Sequence, residues 1–402
     1  MNVASQKCGG LGSRIDYIQF ELPASNDYVN VKTFGAIGNG IVDDTSAFSS
    51  AIARIVSAGY GTLYVPTGTY KVTGGFLLTV PTFVVGDGVG MSTVSCSTIS
   101  ATVFTFSASN SGIRDISLTY SSVGTGTAIL LNNSQEIFYF ERIYITNCGH
   151  GIHINNYVLV RGSKFTISNY AYSGIWADSA GDTSISEFQL YAGNDTMGAN
   201  GGLYFTGTQD TFSAAQGSIL TGVHGIYTAQ NLTISNFYDV ICDSTAEEPL
   251  YALNLKDTFF TNCWFSGGRT GTGYNGVFLG GSCDTIKFNG CKFQNNGANG
   301  IFVANGCVHI SMTDCTANNN KYSSTVGAGY WVENGTDDFT ITHCFAGNSL
   351  GTGWGTQDYG IIVDTGCDHY IVDCNNLRGN TYGGLLNNSS GAADKYIAGN
   401  LI

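Results

Sequence analysis

A glycine, an apolar residue, any residue and a second apolar residue form a phrase that recurs along the chain. It stands at Gly276-Val277-Phe278-Leu279, Gly300-Ile301-Phe302-Val303, Gly329-Tyr330-Trp331-Val332, Gly360-Ile361-Ile362-Val363 and Gly384-Leu385-Leu386-Asn387, spaced 24, 29, 31 and 24 residues apart. The phrase runs backwards through Gly225, Gly202, Gly174 and Gly151, with Pro249 standing in once. A second phrase lies between successive glycines: two apolar residues flanking another, then a cysteine. It reads Ile286 and Phe288 before Cys291, Ile310 and Met312 before Cys315, and Ile341 before Cys344. Each repeat therefore predicts at least two short alternating strands separated by Gly, Asn and Ser turns. A leucine-rich-repeat horseshoe has similar spacing, but its leucine consensus is missing and it carries one strand per repeat. A parallel β-helix remains, in which no coil buries its inner face without its neighbours.

Alternation also predicts a surface. If the residues one and three places after each glycine point inward, the residue between them points outward. That column reads His153, Trp176, Tyr204, Tyr227, Tyr251, Phe278, Phe302, Trp331, Ile362 and Leu386. An apolar stripe of that length exceeds what a monomer ordinarily exposes. It predicts a subunit interface, centred on Trp176, Tyr204, Tyr227, Tyr251, Phe278, Phe302 and Trp331, with a sugar-binding platform as the alternative use.

Composition narrows the partners. The 402 residues carry 55 Gly, 4 Pro, 11% charged residues and a net charge of −13. Sixteen scattered Lys and Arg give no basic footprint for nucleic acid. No apolar run is long enough to span a membrane, and Met1 to Gly12 shows no signal peptide. Of the twelve cysteines, Cys263, Cys291, Cys315, Cys344 and Cys374 form one column and Cys283, Cys307 and Cys367 another. Stacked at roughly 4.8 Å, they read as buried free thiols, although a Cys283–Cys307 bridge fits the allowed Cα range. With no C-x-x-C pair and no His set at ligand spacing, no metal and no cofactor are expected.

Taken in order, residues 1–28 lack periodicity and read as an arm or linker. Residues 29–60 bring a strand and then Ala47, Phe48, Ala51, Ile52, Ile55 and Val56 at helical spacing, with Asp43, Asp44 and Thr45 as N-cap candidates. Such a helix lids the open end of the coil stack formed by residues 61–402. The segment Phe34-Gly-Ala-Ile-Gly-Asn-Gly-Ile-Val-Asp-Asp-Thr45, this helix, and Gly61-Thr-Leu-Tyr-Val-Pro-Thr-Gly-Thr-Tyr70 resemble the opening of the pectate-lyase-like superfamily, which includes bacteriophage tailspikes and polysaccharide depolymerases. The resemblance implies an all-β, right-handed parallel β-helix, a polysaccharide partner, a homotrimer, and a place on a virion tail or outside the cell.

Candidate chemistry lies where the repeat is interrupted. Gly149-His150-Gly151 resembles a triplet of polygalacturonases, but their partner triplets are absent, so His150 reads as a turn histidine. The stretches from cysteine to the next glycine are long after Cys263, Cys315 and Cys344, and insertions on one edge of a repeat array build binding sites. They carry Arg269, Tyr274, Lys321, Tyr322, Trp354, Gln357 and Asp358, the aromatic and planar polar groups that sugars need. Asp314, His343 and Asp373 precede the cysteines of three coils. Asp314 and Asp373, two coils or roughly 9 to 10 Å apart, approach the inverting carboxylate separation. Glu333 and Asp364, on adjacent coils at roughly 5 Å, fit the retaining one. Both pairs also read as solvated turn residues. The expectation is acid/base hydrolysis of a bacterial surface polysaccharide, with a non-catalytic receptor-binding tail protein and a polysaccharide lyase as the competing readings.

Overall fold

The computed structural model describes residues 28–402 apart from 133–136, 158, 195–196, 269–272, 323, 349–355 and 390. Two parallel sheets, one of 22 strands and one of 13, wind into a single β-helix. The smaller sheet is built from the glycine phrases. Its strands include Ser173–Asp178, Gly201–Thr206, Ile226–Thr228, Leu250–Leu253 and Val277–Gly280, each paired in register with the next.

The signature glycines turn out to serve packing more than turning. Gly276, Gly300, Gly329 and Gly360 keep ordinary φ, yet a Cβ on each would stand 2.5 to 2.8 Å from the carbonyl oxygen of the corresponding glycine one coil on. Only a residue without a side chain lets successive coils approach this closely.

From Asp115 onward the larger sheet bends at one corner in successive coils, through a residue with left-handed φ. The stacked corner runs Asp115, Arg142, Lys164, Glu187, Gln216, Asp239, Asn262, Gly290, Asp314, His343 and Cys374, with φ from 49° to 64°. One place beyond it, Cys263, Cys291, Cys315 and Cys344 are buried free thiols, as are Cys283, Cys307 and Cys367 in the second column. Cys374 departs from expectation. It occupies the exposed corner itself, and Asn375 takes the buried place, accepting from the Cys344 N–H at 2.8 Å and donating to the Ile341 carbonyl at 2.8 Å. The polar side chain is tolerated there because both of its ends are satisfied.

Inside the coils, aromatic rings stack from one turn to the next. Phe237, Phe260 and Phe288 lie 4.8 Å apart with rings within 11° of parallel. At roughly 1.5 to 3 kcal/mol for each fully buried large apolar side chain, such columns outweigh any single turn and tie each coil to its neighbours. A second internal ladder is polar. Asn296, Asn320, Gln357 and Asn380 hydrogen-bond in sequence at 2.9 to 3.0 Å through their side chains.

The helix Thr45–Ala58 covers the first coil with Ala47, Phe48, Ala51, Ile52 and Ile55 buried. Phe48 stacks on Phe76 at 5.2 Å. Asp44 is the N-cap residue, but its carboxylate caps no helix N–H; it accepts from the N–H groups of Ile37 and Gly38, while Asp43 accepts from the Thr45 N–H at 2.9 Å. No described helix is long and apolar enough to cross a membrane.

Candidate active site

The outward column of the 13-stranded sheet forms a continuous aromatic ladder. His153 stacks on Trp176 at 3.7 Å and 1°, Tyr227 on Tyr251 at 5.2 Å and 9°, Tyr251 on Phe278 at 4.9 Å and 10°, and Phe278 on Phe302 at 5.9 Å and 7°. Trp176–Tyr204, Tyr204–Tyr227 and Phe302–Trp331 complete it with tilted rings 5.7 to 6.0 Å apart. The rings are half-buried, with Ile362 fully covered at the far end. They form a half-buried floor on the outward face for which the sequence predicted a subunit interface or, alternatively, a sugar-binding platform.

Both margins are polar. On one side, residues at or just past the strand ends anchor the indoles: Trp176 Nε1 donates to Thr206 Oγ1 at 2.7 Å, and Trp331 Nε1 donates to Asp364 Oδ2 at 2.9 Å. The other margin is a column one residue before each glycine: His150, Ser173, Gly201, His224, Glu248, Asn275 and Asn299. His150 opens a strand and is no turn residue. Its Nδ1 lies 2.7 Å from Ser173 Oγ, and its ring centre is 5.0 Å from that of Trp176. Burial pushes both His150 and His153 down to about 4, so both rings are neutral near pH 7. His153 Nε2 is buried without a hydrogen-bond partner.

Midway along this margin the titratable groups converge. Pro249 replaces the glycine of its coil, and the preceding backbone is held against the previous coil by the Ala246 and Glu247 N–H groups, which donate to Gly222 and Val223. This delivers Glu247 and Glu248 beside His224. One ligand atom from each of the three lies within 4.8 Å of the other two. His224 Nε2 stands 3.2 Å from Glu247 Oε2, and its Nδ1 3.2 Å from the Glu248 carbonyl oxygen. Glu248 is 7% exposed, and burial pushes its carboxyl up to about 7, against the opposing pull of hydrogen bonds that include Asn275. Burial likewise lowers His224. Tyr274 is half-buried and its hydroxyl bonds Glu247; desolvation and that bond both raise it. A carboxyl whose proton is held more tightly by burial, beside a more exposed one, can give a proton while its neighbour takes one or attacks.

The structure redistributes the groups expected from sequence. Asp314 and His343 lie in register, but in the exposed left-handed corner of the large sheet, on a different sheet from the ladder. Asp373 does not join them. It ends the strand Tyr370–Asp373 opposite Thr342, because the cysteine of that coil stands at the corner itself and not one place beyond it. Glu333 and Asp364 do stack on adjacent coils, just past the strands Ala328–Val332 and Tyr359–Val363. Their carboxylates hold structure: Glu333 Oε2 accepts from the Asn305 N–H at 3.0 Å, and Asp364 holds the Trp331 indole. Gln357 and Asp358 are 0% exposed. Gln357 is a rung of the asparagine ladder, and Asp358 pairs with Lys321 at 2.8 Å and accepts from the Gly327 N–H, so neither reaches a sugar. Tyr322 is 52% exposed. Arg269 and Trp354 lie outside the described residues.

Sequence reasoning missed His224, Glu247 and Glu248 because they sit on adjacent coils and in no linear motif. The signal was present: His150, His224 and Glu248 each directly precede the glycine or its proline substitute.

With this geometry, the chain has the architecture of a pectate-lyase-like β-helix, and residues 28–120 match the family model described as rhamnogalacturonase A/epimerase, pectate lyase-like. Among relatives, mannuronan C5-epimerase AlgE5 of Azotobacter vinelandii is 46% identical over 71 residues, which span 16% of this chain and 7% of that protein. Two solved structures share the fold along most of the chain. The A-module of Azotobacter vinelandii mannuronan C-5 epimerase AlgE4 aligns with a TM-score of 0.60 and 17% identity, over 92% of this chain and all of that one. Tailspike protein 3 of bacteriophage CBA120 aligns with a TM-score of 0.64 and 13% identity, over 96% and 65%.

Proposed function

We propose that the chain binds a polysaccharide along the aromatic ladder and cleaves it beside Glu247 and Glu248. The observation that carries this reading is the convergence of a buried carboxyl, a more exposed carboxyl, a histidine and a tyrosine at the margin of a half-buried aromatic floor. Aromatic rings at coil spacing offer successive faces for sugar stacking, with polar groups on both margins for hydroxyls. In hydrolysis, Glu248 gives its proton to the glycosidic oxygen as the bond to the anomeric carbon breaks. Glu247 attacks that carbon, and water, deprotonated by Glu248 on the return step, releases the sugar. The two carboxyls stand within 4.8 Å, closer to the retaining separation of about 5 to 5.5 Å than to the inverting one.

The test is incubation with purified bacterial exopolysaccharides, mannuronan among them, followed by reducing-end assay. New reducing ends with retained anomeric configuration are expected, and a Glu248→Gln protein as active as the parent would overturn the assignment. One second reading has its own support, the sequence likeness to a mannuronan C5-epimerase. Its chemistry begins with removal of a proton next to a uronate carboxylate, and its products would be unsaturated or inverted uronates. Binding without any product would make the chain a receptor-binding protein. The tailspike likeness supports a homotrimer on a virion tail or in the extracellular space, and light scattering checks the mass.

A further inference from the structure

We propose that His224, Glu247 and Glu248 form a binding site for a divalent transition-metal ion of the zinc type, and that its occupancy shuts the cleavage centre down. The second half rests on the acid/base reading above; the first stands on geometry alone. The His224 side chain is 7% exposed. Its Nδ1 faces the Glu248 carbonyl oxygen, an acceptor only, so Nδ1 carries the ring hydrogen and donates it. In the neutral ring the lone pair of Nε2 is then aimed at Glu247 Oε2, 3.2 Å away. Two acceptors at that distance repel unless a proton or a metal ion lies between them.

A metal ion resolves the arrangement with the parts present. A carbonyl oxygen behind one ring nitrogen, with the other nitrogen free to ligate, is the usual support of a metal-binding histidine. Ligand atoms about 2.0 to 2.1 Å from a tetrahedral centre stand roughly 3.3 Å apart, close to the observed 3.2 Å. Glu248 supplies the third ligand within the 4.8 Å span of the cluster, and a tetrahedral ion would keep its fourth position for water. One imidazole and two carboxylates suit zinc-type ions, whereas Ca²⁺ takes six to eight oxygens. Bound metal would engage both carboxylates at once and leave neither to pass a proton or attack.

The experiment is calorimetric titration of the full chain, freed of metal by chelator, with Zn²⁺ alone. The exposed corner thiol is removed first by Cys374→Ser so that it cannot compete. One saturable site is expected, with Ca²⁺ binding far more weakly. His224→Ala should weaken Zn²⁺ binding about 100-fold, taking metal-ligand support as the scale. Glu247→Gln, at a side chain 36% exposed, should also weaken it and serves if the histidine variant fails to fold by circular dichroism. Co²⁺ should give a visible absorption band that both substitutions remove. No saturable uptake, the result expected if Nε2 and Glu247 share only a proton, would overturn the site; so would uptake unchanged in both variants. If the metal-free chain cleaves polysaccharide and saturating Zn²⁺ leaves the rate unchanged, the inhibitory role fails. If no cleavage occurs, the functional reading fails and calorimetry still decides the site.

Discussion

The coils from His150 to Asn275 and those from Gly276 to Asn388 share one architecture and differ in what stands before the glycine. In the first region that column carries His150, Ser173, His224 and Glu248, whose titratable groups face the ladder. In the second it carries Asn299, whose amide donates to Asn275 Oδ1 at 2.9 Å and accepts from the Ala328 N–H at 2.7 Å, and then Ala328, Tyr359 and Gly383. There the polar atoms serve the stack itself, continued inside by Asn296, Asn320, Gln357 and Asn380. The more regular the repeat, the more completely its polar groups are consumed by neighbouring coils. Chemistry is concentrated where the pattern is broken, at Pro249.

The largest contrast is expected from activity. Glu248→Gln should lower the cleavage rate by about 10² to 10⁴-fold, the scale of a lost general acid, with an unchanged circular dichroism spectrum. Asp314→Asn, in the corner of the other region, should leave the rate unchanged. The reverse result would move the site to the corner. Next comes Asn320→Leu, which takes the donor from Gln357 Oε1 and from the Phe293 carbonyl and one acceptor from Asn296 Nδ2. A buried group left unsatisfied costs about 1 to 3 kcal/mol, so urea unfolding should show a loss at the upper end of that range. The cleavage rate per folded molecule should stay the same.

Acid should weaken the first region before the second. His150 and His153 are held near 4, below the ordinary 6.5 of an unfolded histidine. The stability this reflects is present above pH 6.5 and lost as pH falls from there through about 4. Hydrogen exchange at pH 5 and pH 7 should show greater loss of protection in the strands His150–Asn155 and Ser173–Asp178 than in Ala328–Val332, whose column holds no histidine. Equal losses would contradict it. The smallest effect is expected from Tyr251→Ala, which removes one stacking face and should weaken oligosaccharide affinity by about 0.5 to 1.5 kcal/mol, read by calorimetry.

The fold was legible in the sequence because the period of the glycine phrase and the alternation within it each state a physical requirement: a close backbone contact and an inward face. The ladder followed from the same alternation, down to the register of Trp176, Tyr204, Tyr227 and Tyr251. Positions judged by the neighbouring cysteine were not legible. Asp373 and Cys374 look like His343 and Cys344 in the sequence, yet the corner keeps its distance from the glycine and falls on Cys374, so Asn375 becomes the buried residue. Gln357 and Asp358 looked like sugar contacts because long polar insertions usually are, but the stack's own amides and Lys321 claim them first. The His224 cluster joins residues more than 20 positions apart, and only the column of residues preceding the glycines brings them together.

The central claim is that the glycan lies along the 13-stranded sheet. A crystal structure of the Glu248→Gln chain soaked with oligosaccharides from a cleaved exopolysaccharide tests it most directly. The account predicts sugar rings stacked on Trp176, Tyr204, Tyr227 and Tyr251, with a glycosidic oxygen beside residue 248. Sugar bound instead at the Asp314 and His343 corner, with the ladder buried between protein subunits, would contradict it.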